Sequence, residues 1–425
     1  MPNYGGFMQL HRRFTTEQVS RVLADFSREL LGEKAALRLL GVGHTQFFKL
    51  LRRWRKNPAL FTITYTRVTP TQLSPTTEAV IHQALVADHE LVTDPALPIH
   101  HYNYSAVRDD LVNQGVVVSL PTIIARAKTY GYYQPKRKKR GGDHTRQVVT
   151  TAPGALIQHD SSFHLWSPYS QSKWYLITSL DDYSRILAYA RLVELETTWT
   201  HIVAAKTVTL TYGVPLEWYT DGLRIFRYVS KADSMWANQS VHTDEVNPQW
   251  KQCVLRTGAS VIHALSAQAK GKIERPYQWL QDRVVRTCAK QHVDDIGEAN
   301  HILDGEVARY NTRQIHSTTQ AIPRQRFEQA TQEGRSLFKP FQISKPYSHL
   351  DDIFCLIEER TTNPYRKISL WNVDIQIPLV PKSEQVTIHL APHSEKHTIH
   401  VRIWYENTLV YRAHHPKTQF PRVHF

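Results

Sequence analysis

Apolar and polar positions follow different periods in four blocks of this chain. Two blocks with helical spacing come first, at about residues 14–60 and 72–132. Residues 152–330 alternate strand and helix patterns, and residues 345–415 carry short strand patterns. A chain of 425 residues is too long for one ordinary core. The pattern therefore predicts a multidomain protein that is all-α at the start, α/β in the middle and β-rich at the end.

The first block reads as two short helices joined by a glycine turn. Leu37 and Leu40 lie at helical spacing, and the stretch 41–43, Gly-Val-Gly, interrupts that helix. His44 or Thr45 is placed to cap the helix that follows. Two short helices around a tight turn are typical of a helix-turn-helix unit, which we predict over residues 1–66.

The second helix of this unit has one apolar face and one basic face. Phe47, Leu51 and Trp54 recur at positions i, i+4 and i+7. The opposite face is basic, and its residues are Lys49, Arg52, Arg53, Arg55 and Lys56. Such a helix fits a DNA major groove, so Lys49, Arg52 and Arg53 are DNA-binding candidates. The alternative is an ordinary helical hairpin with a solvated basic face.

Residues 72–134 repeat this design and predict a second, winged helix-turn-helix domain. An amphipathic helix through Tyr104 and Leu111 ends at Gly115. Ser119 followed by Pro121 is typical of a helix cap with proline in the first turn. The candidate DNA contacts on this last helix are Arg126 and Lys128.

A basic linker at residues 135–150 joins the helical blocks to the α/β block. It contains an uninterrupted run of five cations, Lys136, Arg137, Lys138, Lys139 and Arg140. We predict a flexible arm that follows DNA phosphates, and the alternative is a plain solvated linker.

The block at residues 151–335 predicts an α/β domain with one mixed sheet. Strand patterns cover 155–162, 173–180, 186–193, 215–222 and 259–265, and helix patterns cover 197–212 and 269–290. Asp160 and Asp221 end predicted strands, and Glu274 lies one turn into the long helix. Because strand ends and helix starts converge along a sheet edge, these three acids can share a site.

Three carboxylates without a His or Cys cluster beside them suit hard cations. The pattern therefore predicts two Mg²⁺ or Mn²⁺ ions, a pair that can activate an attacking oxygen and stabilise the leaving oxygen of a phosphodiester. Cations flank Glu274 and are predicted to contact DNA at the rim of this site: Lys270, Lys272 and Arg275. Asp181 and Asp182 are expected to shape a hairpin turn, and His159 to pack on the other face of its strand.

Five motifs occur in a fixed order through this block: QHDSS, LDDYSR, YTDG, AKGKIER and YNTRQIHSTTQAIPRQRF. Together they resemble the retroviral-integrase superfamily, and within it bacterial insertion-sequence transposases with N-terminal helix-turn-helix domains. The resemblance implies an RNase-H-like integrase core with Asp160, Asp221 and Glu274 as catalytic and metal-binding residues. It also implies a polynucleotidyl transferase that acts on double-stranded DNA as a homo-oligomer. For Asn311, Arg313 and His316 it suggests a structural or DNA-facing role.

Two departures from the family pattern stand out. The gap between the second and third acids is longer than usual, and we assign the excess to an insertion at about residues 224–250. That insertion contains Asp244 and Glu245, which are the alternative third acids. Asp221 is also followed directly by Gly222, where the family commonly has Asn.

The last block, residues 345–415, predicts a small β-barrel of five or six strands. Its strand patterns cover 353–360, 367–378, 384–391 and 398–413. It is similar to the barrel that follows the catalytic domain in integrases and in bacteriophage Mu transposase, which implies docking of DNA or protein.

Composition agrees with a nucleic-acid partner. Lys and Arg number 52 against 38 Asp and Glu, giving a formal net charge of +14. The cysteines Cys253, Cys288 and Cys355 are scattered, so we expect neither disulfides nor a zinc site on them, and a reducing, cytoplasmic location. Without an apolar run of about 18 residues or a signal-like N-terminus, no membrane contact is expected. The competing functions are a non-catalytic DNA-binding regulator and a plain RNase-H-type nuclease.

Overall fold

The structure is a computed structural model, and it describes residues 10–64, 73–135, 150–220, 249–263, 271–371, 373–393 and 396–420. Of residues 263 and 271–275 it describes the backbone alone. The chain divides into two compact units, Met1–Glu78 and Ala79–Phe425. In the part of the chain that is described, no helix is long and apolar enough to cross a membrane.

The first unit contains a 3-10 turn and three helices: Leu10–Arg12, α1 (Thr16–Ser27), α2 (Glu33–Leu40) and α3 (His44–Lys56). Phe47 and Leu51 are buried in its core and Trp54 packs against it, so the predicted apolar face of α3 is confirmed. Gly41 ends α2 in the left-handed conformation, with φ +60°, which glycine adopts without strain.

The predicted cap of α3 was wrong. Gly43 is the cap, with extended backbone, and its lack of a side chain leaves the first helical amides without a side-chain acceptor. His44 already has helical geometry, so neither it nor Thr45 occupies the cap position.

Three helices come next in the described chain: α4 (Pro75–Thr93), α5 (Tyr104–Asn113) and α6 (Leu120–Thr129). The first residues of α4 belong to the first unit and the rest to the second. Ser119 caps α6 by accepting a hydrogen bond from the amide of Thr122, as its position before Pro121 predicted. Residues 73–135 as described contain helices and loops without a strand, so no wing accompanies these helices there.

A five-stranded mixed sheet forms the centre of the second unit. Its elements are β1 (Leu156–His164), β2 (Trp174–Asp181), β3 (Leu187–Val193), α7 (Thr198–Tyr212), β4 (Glu217–Thr220), α8 (Gln249–Arg256), β5 (Ser260–His263), α9 (Gly271–Gln291), α10 (Ile296–Arg313) and α11 (Pro323–Gln332). The strand order is β3-β2-β1-β4-β5. Strands β1 to β3 are antiparallel neighbours, and β4 and β5 run parallel to β1. The predicted α/β core with a mixed sheet is confirmed.

Helices cover both faces of this sheet. Ile157 and Trp218 point to the face that packs against α7 and α8, where Trp250 and Val254 complete the core. Leu176 points to the other face, as do its alternate neighbours, and packs against α9 and α10.

The C-terminal region is an open sheet, so the predicted small barrel is not confirmed. After the short helix α12 (Leu350–Ile353) come β6 (Leu356–Thr361), β7 (Lys367–Leu370), β8 (Val373–Gln376), β9 (Gln385–His393), β10 (Thr398–Tyr405), β11 (Thr408–Pro416) and a 3-10 turn at Lys417–Gln419. Four antiparallel strands pair in the order β11-β10-β9-β6, and β7 and β8 form a separate hairpin. The apolar face of this sheet belongs to the same buried cluster as residues of the central domain, through residues such as Ile388 and Val401.

Candidate active site

Asp160 lies in the middle of β1, since the strand continues to His164. The expectation that Asp160 ends its strand was therefore wrong. The polar run after it still pairs with β2, and Asp160 itself lies directly opposite Thr178. Residues that are directly opposite in an antiparallel pair point to the same face, so Asp160 and Thr178 share a face of the sheet. The Asp160 side chain is half-buried.

Helix α9 docks on that same face. The hydroxyl of Tyr277 and the hydroxyl of Thr178 are 2.7 Å apart, and both residues are buried. Below them Leu280 and Val284 of α9 pack against the sheet with no exposed surface. The beginning of α9, which includes residue 274, therefore lies beside the strand that carries Asp160. At that position the structure describes the helix backbone and not the side chain of Glu274.

Strand β4 lies on the other side of β1 from β2. Its register places Gln158 opposite Tyr219, and β4 ends at Thr220. Asp221, the residue that follows, lies outside the described residues, as do Lys270 and the insertion with Asp244 and Glu245.

Behind Asp160, on the opposite face, His159 is buried in a chain of hydrogen bonds. Its Nε2 is 2.8 Å from Nδ1 of His201, and its Nδ1 is 3.0 Å from the hydroxyl of Ser179. Nε2 of His201 is 3.1 Å from the carboxylate of Glu196. The ring of His159 also stacks on Trp250, with centroids 5.3 Å apart. His159 is thus a packed residue, as expected, and it fixes β1 against α7 and α8.

Asp181 and Asp182 are buried and hold the turn between β2 and β3. The carboxylate of Asp181 accepts hydrogen bonds from the amides of Gly154 and Ser184, at 2.9 and 2.8 Å. Burial raises the pKa of Asp181 above its ordinary value, against the effect of these donors. Asp182 accepts from Gln158 at 2.6 Å and from Arg185 at 3.0 Å. The expected turn-shaping role is confirmed.

Two asparagines of α10 complete the edge strand β3. Asn311 accepts from the amide of Leu187 at 2.9 Å and donates to its carbonyl at 3.0 Å. Asn300 makes the same pair of bonds with Leu192, at 2.9 and 3.0 Å. These side-chain amides form hydrogen bonds with backbone N–H and C=O groups that an edge strand otherwise leaves unpaired. Asn311 is therefore structural.

The remaining predicted residues differ in exposure and in how much of them the structure describes. Lys49, Arg52 and Arg53 are exposed on α3. On α6, Arg126 is half-buried and Lys128 is exposed, with its ammonium 4.8 Å from the centroid of the Tyr133 ring. Arg313 is exposed and His316 is buried. Lys136, Arg137, Lys138, Lys139 and Arg140 lie outside the described residues, and for Lys272 and Arg275 only the helix backbone is described.

Sequence reasoning missed a set of buried ion pairs that joins α9 to the helices before the sheet. Arg286 donates to Asp88 of α4 at 2.5 Å and to the carbonyl of His101 at 2.6 Å. Arg283 donates to Asp109 of α5 at 2.8 Å. The partners in these ion pairs are far apart in sequence. The one sequence feature that could have indicated the ion pairs is the line of cations on α9, most of which have no acid beside them.

Comparison with known proteins identifies relatives of this chain. No protein-family model matches it. A putative transposase, y4bF, of Sinorhizobium fredii is 25% identical over 224 residues, which cover 53% of this chain and 44% of that protein. The transposase for insertion sequence IS1202 of Streptococcus pneumoniae is 25% identical over 177 residues, which cover 42% of this chain and 36% of that protein. The chain thus matches less than half the length of these curated relatives.

Two solved structures of viral proteins are similar to parts of this chain. One is the HTLV-2 integrase catalytic core domain in complex with magnesium, with 14% identity and a TM-score of 0.31, covering 41% of this chain and 96% of that one. Another is a simian T-cell lymphotropic virus intasome in complex with PP2A regulatory subunit B56 gamma, with 12% identity and a TM-score of 0.35, covering 72% of this chain and 95% of that one. Both scores are too low to establish a shared fold. The two curated names confirm the resemblance to insertion-sequence transposases.

Proposed function

We propose that this relative of insertion-sequence transposases binds the ends of a mobile DNA element, cuts a phosphodiester there and joins the freed 3′-hydroxyl to target DNA. Asp160, Asp221 and Glu274 would be its catalytic, metal-binding carboxylates. One arrangement around Asp160 carries the proposal. Strand β4 pairs with β1 in a defined register, and α9 docks on the face of the sheet that carries Asp160.

The β1–β4 register supports pairing of the first two acids. Gln158 lies opposite Tyr219, and the same offset separates Asp160 from Asp221 in the sequence. A parallel register that continues for two residues would therefore put Asp221 beside Asp160, on the same face of the sheet. Neighbouring strands lie about 4.8 Å apart, so two carboxylates at these positions are close enough to share cations.

The docking of α9 supports Glu274 as the third acid over Asp244 and Glu245. Tyr277 faces β2 and bonds Thr178, which is the partner of Asp160. Position 274 precedes Tyr277 by three residues, and residues three apart occupy one side of a helix. An acid at position 274 would therefore face the strand that carries Asp160. No comparable contact among the described residues supports Asp244 or Glu245 as the third acid.

The donor set suits hard divalent cations. Carboxylate oxygens are the ligands that Mg²⁺ and Mn²⁺ prefer. Two bound ions would supply activation of the attacking oxygen and stabilisation of the leaving oxygen. The chain's own part would be to hold three carboxylates on a sheet that is fixed from behind by His159 and at its edge by Asn311.

Element-end recognition is assigned to the helical blocks. The exposed cations Lys49, Arg52 and Arg53 share the outer face of α3, away from the buried Phe47 and Leu51. A basic helix face of this kind can enter a major groove. Cations of α6 and of the linker would add phosphate contacts. Because two element ends must be joined in concert, we infer a dimer or larger homo-oligomer on DNA.

The test uses purified protein, Mg²⁺ and DNA duplexes tiled across the sequences that flank its gene. We expect end cleavage and joined strand-transfer products, and loss of both in Asp221→Ala and Glu274→Gln with DNA binding retained. Asp244→Asn and Glu245→Gln are matched controls that should keep activity. Sequence-specific binding without cleavage would instead indicate a regulator, and nicks without joined products a plain nuclease.

A further inference from the structure

The four-stranded C-terminal sheet has one apolar face and one face rich in histidine. Ile388, Leu390, Ile399 and Val401 are buried in the apolar core. The alternate residues point the other way, and His400 lies opposite Ala391 on β9 and opposite His414 on β11. His393 lies two residues beyond Ala391 on β9 and points to that same face. This second face is covered by the segment around α12, which carries His349 and Asp351.

Three imidazoles converge on one carboxylate oxygen at this place. Oδ2 of Asp351 is 2.7 Å from Nδ1 of His400, 3.0 Å from Nε2 of His393 and 3.4 Å from Nδ1 of His349. One ligand atom from each of His349, Asp351 and His400 can be chosen so that all lie within 4.8 Å of one another. The ring of His414 stacks on that of His400, with centroids 4.3 Å apart.

Hydrogen bonding alone does not account for all of these contacts. Nδ1 of His349 accepts a hydrogen bond from the amide of Asp351 at 3.1 Å, which caps α12. A nitrogen that accepts this bond carries no proton for Oδ2, so its approach to the carboxylate brings two acceptors together. The one lone pair of this nitrogen is taken by the amide, so His349 would offer a cation its other ring nitrogen, Nε2. A cation bound to Oδ2 would offset the repulsion between that oxygen and Nδ1.

We propose that His349, Asp351 and His400 form a binding site for a transition-metal ion of the zinc class, with His393 hydrogen-bonded to Asp351 beside it. Imidazole nitrogen and carboxylate oxygen bind Zn²⁺ at about 2.0–2.2 Å, which puts the ligand atoms of a tetrahedral site about 3.3 Å apart. Ligand atoms of His349, Asp351 and His400 lie within 4.8 Å of one another, so side-chain rotations of small size would bring them to this spacing. Asp351 and His400 are buried, while the side chains of His349 and His393 are 48% and 35% exposed, so an ion can enter from solvent.

This site, together with the hydrogen bond between His393 and Asp351, would join three parts of the C-terminal region. His349 and Asp351 flank the start of α12, His393 ends β9 and His400 lies in β10. A bound ion would pin the α12 segment across the sheet, beside the buried Asp352 that bonds Arg402. None of these residues belongs to the proposed catalytic site, so the two proposals stand or fall separately.

Zinc content is the direct test. The full-length chain is dialysed against zinc in excess Mg²⁺, which occupies hard carboxylate sites, and its metal is then counted by mass spectrometry. We expect one zinc ion per chain, and Co²⁺ in its place should give the visible absorption of a tetrahedral N/O site. His349→Ala and His393→Ala change half-exposed side chains and should leave the fold intact. Loss of a group that hydrogen-bonds a zinc ligand costs about 10–100-fold in affinity, which is the loss expected for His393→Ala. Loss of the ligand itself in His349→Ala should cost at least about 100-fold.

His301→Ala is the matched control, since His301 is exposed on α10 and far from this cluster in sequence. It should bind zinc as the unchanged chain does. The proposal is overturned if the unchanged chain holds no zinc under these conditions, which would leave a hydrogen-bonded cluster only. It is equally overturned if His349→Ala, His393→Ala and His400→Ala all keep the original zinc affinity.

Discussion

Thr178 and Tyr277 join their hydroxyl groups by a hydrogen bond of 2.7 Å between β2 and α9. Thr178 is the cross-strand partner of Asp160, and Tyr277 lies one turn beyond residue 274. One buried bond therefore fixes how closely the helix that carries the proposed third acid approaches the strand that carries the first.

Tyr277→Phe should weaken both the fold and the reaction. It leaves the buried hydroxyl of Thr178 without this partner, which costs about 1–3 kcal/mol of unfolding free energy. We expect strand transfer to fall further than binding of element-end DNA, because the substitution loosens the site and leaves the helical blocks unchanged. Chemical denaturation, a joining assay and a binding titration measure the three quantities.

Tyr310→Phe is the matched control for that change. Tyr310 is also buried and packs in the same core, but its hydroxyl has no hydrogen-bond partner among the described residues. Removing this hydroxyl should leave stability unchanged or raise it slightly. Equal losses in both phenylalanine variants would contradict a specific role for the Thr178–Tyr277 bond.

A second prediction concerns the buried ion pair of Arg286 and Asp88. Both side chains are almost without exposed surface, and their closest atoms are 2.5 Å apart. Removal of one partner leaves the other charge buried, so Arg286→Met should cost about 3–5 kcal/mol. It should also expose α4 and α5 to limited proteolysis before the sheet is cut. Thermal unfolding and a proteolysis time course measure these effects.

The double variant Arg286→Met, Asp88→Leu tests the reason for that loss. With both charges gone, most of the stability should return, because apolar groups can replace a buried ion pair at little net cost. A double variant as unstable as Arg286→Met alone would show that packing of the long side chain, and not the orphaned carboxylate, is what matters.

The sequence predicts those parts of the fold that leave a periodic signal. The strands of the central sheet and the apolar face of α3 were found in this way, through residues such as Phe47 and Leu51. The bond between Arg286 and Asp88 leaves no such signal, because its partners lie in separate helices. Closure of a barrel likewise depends on pairing of first and last strands, which alternation within each strand does not reveal.

The candidate site shows the same limit. The motif around Asp160 was recognisable, but the end of its strand was misplaced, because the polar residues after it looked like a loop and instead pair with β2. The histidines of the C-terminal sheet were overlooked as well. His393 and His400 do share the strand period with their neighbours, yet His349 and Asp351 reach them only through the fold.

A third prediction concerns the pH dependence of stability at Asp352. Burial alone would raise the pKa of this carboxyl, but the nearby ring of His389 and hydrogen bonds from Arg402 and Trp404 outweigh it and hold the pKa below the ordinary 3.8. Arg402 donates twice, at 2.6 and 2.9 Å. A carboxyl whose pKa is lowered by folding stabilises the protein above its unfolded pKa and loses that effect as pH falls through the folded one.

Asp352→Asn should therefore destabilise the chain by about 3–5 kcal/mol at neutral pH, since it leaves the buried guanidinium of Arg402 unpaired. The difference in stability between the two proteins should narrow below pH 3.8, because there the carboxyl of the unfolded chain takes up protons while that of the folded chain stays charged down to its lowered pKa. Denaturant unfolding across this range measures the gap. Asp374→Asn, at an exposed position of β8, is the control and should change stability little at any pH. A gap that stays constant to pH 2 would contradict the assignment.

The last prediction separates a DNA-reading helix from a basic surface. Lys49→Ala with Arg52→Ala removes two exposed cations from α3, and Arg21→Ala with Arg28→Ala removes two from the α1 region at equal net charge. If the α3 pair contacts phosphates, the first variant should lower the slope of log affinity against log salt by about 2 and weaken binding to all duplexes similarly. The Arg21→Ala, Arg28→Ala variant should change neither the salt slope nor the affinity for DNA. Equal effects in both variants would mean that net charge alone attracts DNA to this unit, and the helix-turn-helix assignment would lose its support.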